Sequence, residues 1–575
     1  MTRRTSGALR SPLFVLTLAG TVWFAFSFML APAARVVQTV FFPDGTASLG
    51  AFGRLFASDR AVEALQHSFL LAGVLSVTVN VVGIALVLFT RYFAIRGGRV
   101  LWLGYATTLI YGGIVLVAGY KFVYGERGVV TRIAVGLWPG LDPQWFSGMT
   151  AVVLVMTFAT TSNHLLFLGN ALAKVDHQTI EAARLMGASE ARVLRTVVLP
   201  TLMPTIYALT ILTFLGGLGA LAAPQVLGGS EFQTIAPMIF DFAGAAGSRD
   251  LAAALALVLG VATVTLLAVF SRLERGGTYF SVSKVPTMQQ LRRIENPLAA
   301  ALAHVTAYAL FAVYVLPPIL IVLFSFADSA AIQSAKLGFS SLTLDNYARV
   351  LGDYGQLWPF LVSVGYALAA TTIVVALMLV VARVIQLYPG PFTASLELLL
   401  HIPWMLPAVM LALGLILLYD HDNPLVGGQV LTGTVWLLLI AYVAQRIPFT
   451  LRLLKAAYAG VPDHLDDAAR LLGANSMHTF RRVLFPAVAP VAAAIAAVNF
   501  TGLLDDYDTS IFLAHPLYQP IGIVIKNATE NDTNYDTTAT TFVYTVLLMT
   551  ISALAMWLIY GRGSRLGGQN RKQKW

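Results

Sequence analysis

Apolar runs of about twenty residues recur along this chain, separated by short polar stretches. A helix rises ~1.5 Å per residue, so about 20 apolar residues cross the hydrocarbon of a bilayer. On that measure the pattern predicts about twelve spanning helices. Six lie near 12–33, 66–90, 100–122, 148–170, 205–228 and 250–271, and six near 298–326, 358–384, 394–419, 431–455, 488–513 and 538–560. The expected fold is all-α and polytopic, with two six-helix halves, 1–271 and 297–561. A polar, basic linker (272–296) falls between the two sets of six, and a basic tail (562–575) follows the last. Residues Met29 to Arg35 read MLAPAAR, which mimics a signal-peptide cleavage site. The apolar run before it, Pro12 to Leu30, exceeds the ~7–15 residues of a signal core, so the first span is expected to be retained.

Composition agrees with lipid as the solvent. The chain is 57% hydrophobic and 11% charged, against about 25% charged residues in soluble domains. The net charge of +9 sits between apolar runs, at Arg3, Arg4 and Arg10, at Arg91, Arg96 and Arg99, at Arg272, Arg275, Lys284, Arg292 and Arg293, and at Arg562, Arg565, Arg571, Lys572 and Lys574. That distribution follows the positive-inside rule rather than the footprint of a nucleic-acid binder. It places both termini, the 91–99 loop and the linker in the cytoplasm, and the loops carrying Asp420, Asp422, Glu530, Asp532 and Asp536 outside. With no cysteine in the chain, disulfides, thiolate metal sites and thiol nucleophiles are excluded.

The chain repeats itself. Residues 181–204 read EAARLMGASEARVLRTVVLPTLMP, and residues 467–490 read DAARLLGANSMHTFRRVLFPAVAP. They align without a gap at a spacing of 286, with ten of 24 positions identical. Both copies lie between the fourth and fifth spans of their halves, on the cytoplasmic side by parity of crossings, so the halves are parallel repeats. Each copy predicts a short helix, a bend at Gly187 or Gly473, a second short helix with arginines, and entry to the next span at a proline pair. A single copy would suit an amphipathic hairpin lying on anionic lipid. Two copies in register imply a partner of matching twofold symmetry.

These segments resemble the EAA loop of ABC importer permeases. Glu181, Ala182, Ala183, Gly187, Leu199 and Pro200 match the pattern. So do Ala468, Ala469, Gly473 and Pro486, with Asp467 in place of Glu and Phe485 in place of Leu. The resemblance implies a coupling helix in each half, docked on one of two ABC ATPase subunits that carry the ATP and Mg. It implies a substrate-binding protein on the opposite face, a bacterial cytoplasmic membrane, and a fused form similar to ferric-iron, polyamine, thiamine and phosphonate permeases. The coupling residues carried over are Glu181, Ala182, Ala183, Gly187 and Pro200, with Asp467, Ala468, Ala469, Gly473 and Pro486.

The chain lacks any Gly-Lys dipeptide, so a P-loop is absent and no cofactor is expected on this chain. No zinc-type histidine spacing and no set of converging catalytic groups appears; His164 reads as a buried, satisfied histidine. Polar groups inside spans are candidates for the substrate path. Asp505, Asp506 and Asp508 stand out, because their first-half counterparts are Gly219, Ala220 and Ala222. They either face the path and attract a cation, such as ferric iron or a polyamine, or sit in a solvated outer loop. Asn80 and Gln225 either line a cavity or bond a neighbouring helix. An ion-coupled secondary transporter with two six-helix halves is the alternative architecture.

Overall fold

The computed structural model describes residues 12–43, 45–245, 247–275, 291–462, 464–530 and 535–569. The interior of the linker and the end of the tail lie outside them. Among the described residues ten helices are long and apolar enough to cross a membrane, and a bent pair makes eleven if it is counted as one span. Among the described residues there is no strand beyond three isolated bridges.

In the first half the spans are Val15–Phe41, Asp59–Tyr92, the bent pair Gly98–Leu109 and Gly113–Leu137, Gly148–Leu172, Glu190–Leu218 and Arg249–Val269. The second half repeats the order with Pro297–Ser325, Tyr354–Leu387, the short helices Pro391–Leu400 and Ala408–Tyr419, then Val435–Ala459, Met477–Leu504 and Asp536–Ala555. Local chemistry starts several of them. Asn296 accepts bonds from Leu298 N and Ala299 N ahead of Pro297, and Asp353 caps the helix that begins at Tyr354.

The third span of each half departs from the twelve continuous helices expected. In the first half the chain turns by 116° between Leu109 and Gly113, where Gly112 is extended and Gly113 has φ +48°. In the second half the break falls at Leu406 and Pro407, both extended. A proline N lacks the proton for a helical bond, and a glycine tolerates positive φ, so both sequences permit the break. The fifth spans break too, after Leu218 and after Leu504, at matching places in the repeat.

The halves interlock. Residues 29–35, the mimic of a cleavage site, are helical and lie against the second half. Tyr419 Oη donates to Ser27 O (2.8 Å), and a Cβ on Gly414 would come within 2.5 Å of Pro32 O. Reciprocally, Tyr105 Oη donates to Ala307 O (2.7 Å) and Tyr120 Oη to Val313 O (3.2 Å). The first span of each half therefore packs on the broken third span of the other. Matching bonds repeat inside the halves: Ser68 Oγ accepts from Ile235 N (2.8 Å), and Ser363 Oγ from Ile521 N (2.9 Å).

Candidate functional site

Two features stand apart from the helical scaffold: the repeated loops and a cavity at the helix breaks. In the first loop, Asp176 caps the helix His177–Leu185. Gly187 then takes φ +82°, Ala188 N donates back to Ala183 O (3.1 Å), and Ser189 caps the helix Glu190–Val193. In the second, the helix His464–Leu471 ends before Gly473 at φ +79°, Ala474 N donates to Ala469 O (3.0 Å), and Asn475 accepts from His478 N (2.8 Å). A left-handed glycine followed by a bond reaching back five residues is the Schellman end of a helix. It explains the repeated residues: the glycine supplies φ, the second alanine (Ala183, Ala469) is buried beneath the turn, and the first (Ala182, Ala468) faces solvent. One wide π-type turn follows in each copy, Leu194–Val198 and Phe480–Leu484, just ahead of Pro200 and Pro486. A wide turn absorbs the misfit of a proline ring against the carbonyl four residues back.

Each bend carries two bare apolar side chains. Leu185 and Met186 are 88% and 82% exposed, and Leu471 and Leu472 are 89% and 88% exposed. The acids differ between copies. Glu181 accepts an ion pair from Arg292 at 2.5 Å, whereas Asp467 is exposed and its neighbour Asp466 pairs with Arg383 of the second span.

The cavity, ≈ 340 Å³, lies where the helix breaks of the two halves meet. Gly113, Met156, Gly219 and Ala222 line it from the first half, and Trp404 and Asp508 from the second. The three acids divide their roles. Asp505 Oδ2 accepts from Gly112 N (3.2 Å) at the broken third span of the opposite half. Asp506 Oδ2 accepts from Thr509 N and Ser510 N, both at 3.2 Å, and closes the turn after the fifth span. Only Asp508 lines the cavity; its carboxylate meets the backbone amide of Ala222, and its Oδ1 has no hydrogen-bond partner among the described residues. Arg446, from the fourth span of the second half, donates to Gly502 O and faces Asp505 and Asp506.

Asn80 and Gln225 are both engaged in bonds between helices. Asn80 Nδ2 donates to Thr210 Oγ1 (2.9 Å), and its Oδ1 meets His164 Nε2 (3.2 Å). His164 is fully buried, but its Nδ1 has no partner among the described residues. The second half has a similar knot, with Asn499 donating to Thr450 Oγ1 (2.8 Å) at the position matching His164. Gln225 Oε1 accepts from Tyr507 Oη (2.7 Å) and joins the two broken fifth spans. Arg446 and Arg383 are the functional candidates that reading the sequence for acids and amides passed over. A charge inside a span was the available signal.

Comparison with known proteins fits this two-loop, two-half frame. The family model of the binding-protein-dependent transport system inner membrane component matches residues 11–275 and again 386–565. The chain belongs to this family. As a permease it is 38% identical to a "Probable ABC transporter permease protein y4fN" of Sinorhizobium fredii, over 95% of this chain and 96% of that one. It is 21% identical to the "Ferric transport system permease protein FbpB" of Actinobacillus pleuropneumoniae, over 94% of this permease and 78% of the relative. A "Putative 2-aminoethylphosphonate transport system permease protein PhnV" of Salmonella choleraesuis matches at 23% identity. That match takes 98% of the relative but 46% of this chain, as expected if the relative is the size of one half.

Proposed function

We propose that this permease is the translocation subunit of an ATP-driven importer, gripped at its two loops by two ATPase subunits. The reading places the loops and both termini in the cytoplasm, and a substrate-binding protein at the opposite face. The observation that carries it is the pair of matching bends, each with two large apolar side chains almost fully in water. Four such exposures at symmetric places suit docking pockets of a twofold partner. Nucleotide closure of that partner would draw the loops together and tilt the fifth spans, which leave the loops through the wide turns. The motion requires each nucleotide state to favour one arrangement of the halves. Family membership leaves the secondary-transporter alternative without a role for the paired loops.

The cargo we infer is a small cation carried as an ammonium group. Asp508 brings one carboxylate to an otherwise largely apolar cavity, and among the described residues no Lys, Arg or His lines it. Among the described residues no three His, Asp or Glu side chains come together to hold a metal, whereas a hard metal ion takes about six oxygen ligands. Relatives named for ferric iron and for an aminoethylphosphonate leave both chemistries in view, and the single carboxylate favours the amine.

Two measurements test this reading. Leu185→Asp with Leu471→Asp should cut recovery of the ATPase with the permease at least ten-fold at unchanged expression; undiminished recovery contradicts the docking. Mass spectrometry of the ligand retained by the binding protein encoded beside this chain should find an amine, and Asp508→Asn should reduce its uptake at least ten-fold. A retained metal ion, or unchanged uptake, contradicts the cargo assignment.

A further inference from the structure

The two loops share a sequence but not a mounting. Arg292 lies near the end of the linker and is tied by its backbone to the end of the first half's second span: Arg292 N donates to Tyr92 O (2.8 Å), and Ala94 N donates to Arg292 O (2.7 Å). Its guanidinium, only 11% exposed, reaches Glu181 Oε1 at 2.5 Å. The same corner holds the second short helix of the loop. Tyr92 Oη donates to Glu190 Oε2 (3.3 Å), and Arg184 pairs with Glu190. Four residues after Arg292, Asn296 caps the first span of the second half, and that span lies along the third span of the first half.

The second loop has no counterpart to this strap among the described residues. Its anchor is Arg383, 7% exposed, which pairs with Asp466 and donates to Gln386 Oε1 (2.8 Å) within its own half. The acid at the motif position, Asp467, is left facing solvent.

We propose that Arg292 is a positioning residue that mounts the first loop on the second half, and that Glu181 acts through it rather than on the motor. A carboxylate held by a largely buried guanidinium is already charge-paired, and giving it to another protein would break that pair. The motor then grips the first loop by Leu185 and Met186, and the second by Leu471, Leu472 and the open Asp467. Displacement of the first loop passes both into the fifth span of its own half and, through Arg292, into the first span of the other. The second loop has no such strap among the described residues, and its displacement passes first into the fifth span of its own half. The inference rests on the loops being the motor's docking points.

The test uses the full permease with its ATPase subunits. The chain has no cysteine, so spin labels can be placed at Leu49→Cys and Leu344→Cys. These are 66% and 67% exposed, and each follows the first span of its half. The distance between them is read with and without ATP plus vanadate, which needs no cargo. Arg292→Ala and Glu181→Arg should each shrink the nucleotide-dependent change at least five-fold, and Arg292→Lys should keep most of it. The exchange Glu181→Arg with Arg292→Glu should restore it. A full response in Arg292→Ala, or single losses that the exchange does not restore, overturns the strap. An unsubstituted complex with no nucleotide-dependent change contradicts the proposed function itself.

Discussion

At the residue scale, the repeated glycines show how little of a motif is contact. A Cβ built on Gly187 or Gly473 meets nothing within 4 Å. Their requirement is conformational, since an L-residue in the left-handed region costs roughly 1–2 kcal/mol. Gly187→Ala should therefore weaken the bend by about 1 kcal/mol without disturbing its neighbours. Hydrogen exchange of the Ala188 amide should then speed up roughly five-fold. Unchanged protection would contradict the account of the turn. The motif was readable because backbone geometry dictated it. The glycine, the buried alanine and the capping Ser189 or Asn475 each answer a local demand that recurs 286 residues on. The partner of Glu181 was not readable, because Arg292 lies 111 residues away and no local rule joins them. Nor did the acid run declare its division of roles. Asp505 and Asp506 are taken up by backbone amides at helix breaks, and those breaks were invisible from composition.

At the element scale, hydropathy located the spans and concealed their interruptions. A window of about 20 residues averages over a break of a few apolar or glycine residues, so 100–122 and 394–419 read as continuous helices. The chain shows instead a turn at Gly112 and Gly113 and another at Leu406 and Pro407. Irregular backbone at membrane depth persists only where protein or a cavity satisfies it. Here Asp505 satisfies Gly112 N, and the cavity opens beside Gly113. Gly113 has φ +48°, and a Cβ there would sit 3.2 Å from Asp505 O. Gly113→Ala should lower the thermal unfolding midpoint in detergent by several degrees, about 1–3 kcal/mol of strain. Gly136→Ala is the control, since no atom lies within 4 Å of its Cβ and it sits in a regular helix. It should leave the midpoint unchanged or raise it slightly, alanine being the better helix former by up to about 1 kcal/mol. Equal effects of the two would contradict the special role given to the break.

At the scale of the whole molecule, the sequence divides cleanly into two halves and the structure does not. Each first span is built into the opposite half, through Tyr419 to Ser27 and through Tyr105 to Ala307. No hydropathy pattern carries that exchange, because an apolar face does not name its partner. A first half expressed alone, ending at residue 275, should lack a bed for its first span and fail to purify as a single species. The same half co-expressed with residues 291–575 should assemble. Two separately stable halves would contradict the interlock. Fusion gains a physical sense here: one chain supplies both bundles at equal number, and the strap at Arg292 lets a loop of one half steer a helix of the other.

The central claim is that one chain offers two equivalent grips to a twofold motor, and native mass spectrometry of the purified complex tests it most directly. The account predicts one permease with two ATPase subunits, falling to one when Leu471→Asp and Leu472→Asp remove the second grip. A permease that carries no ATPase, or that still carries two after that substitution, contradicts it.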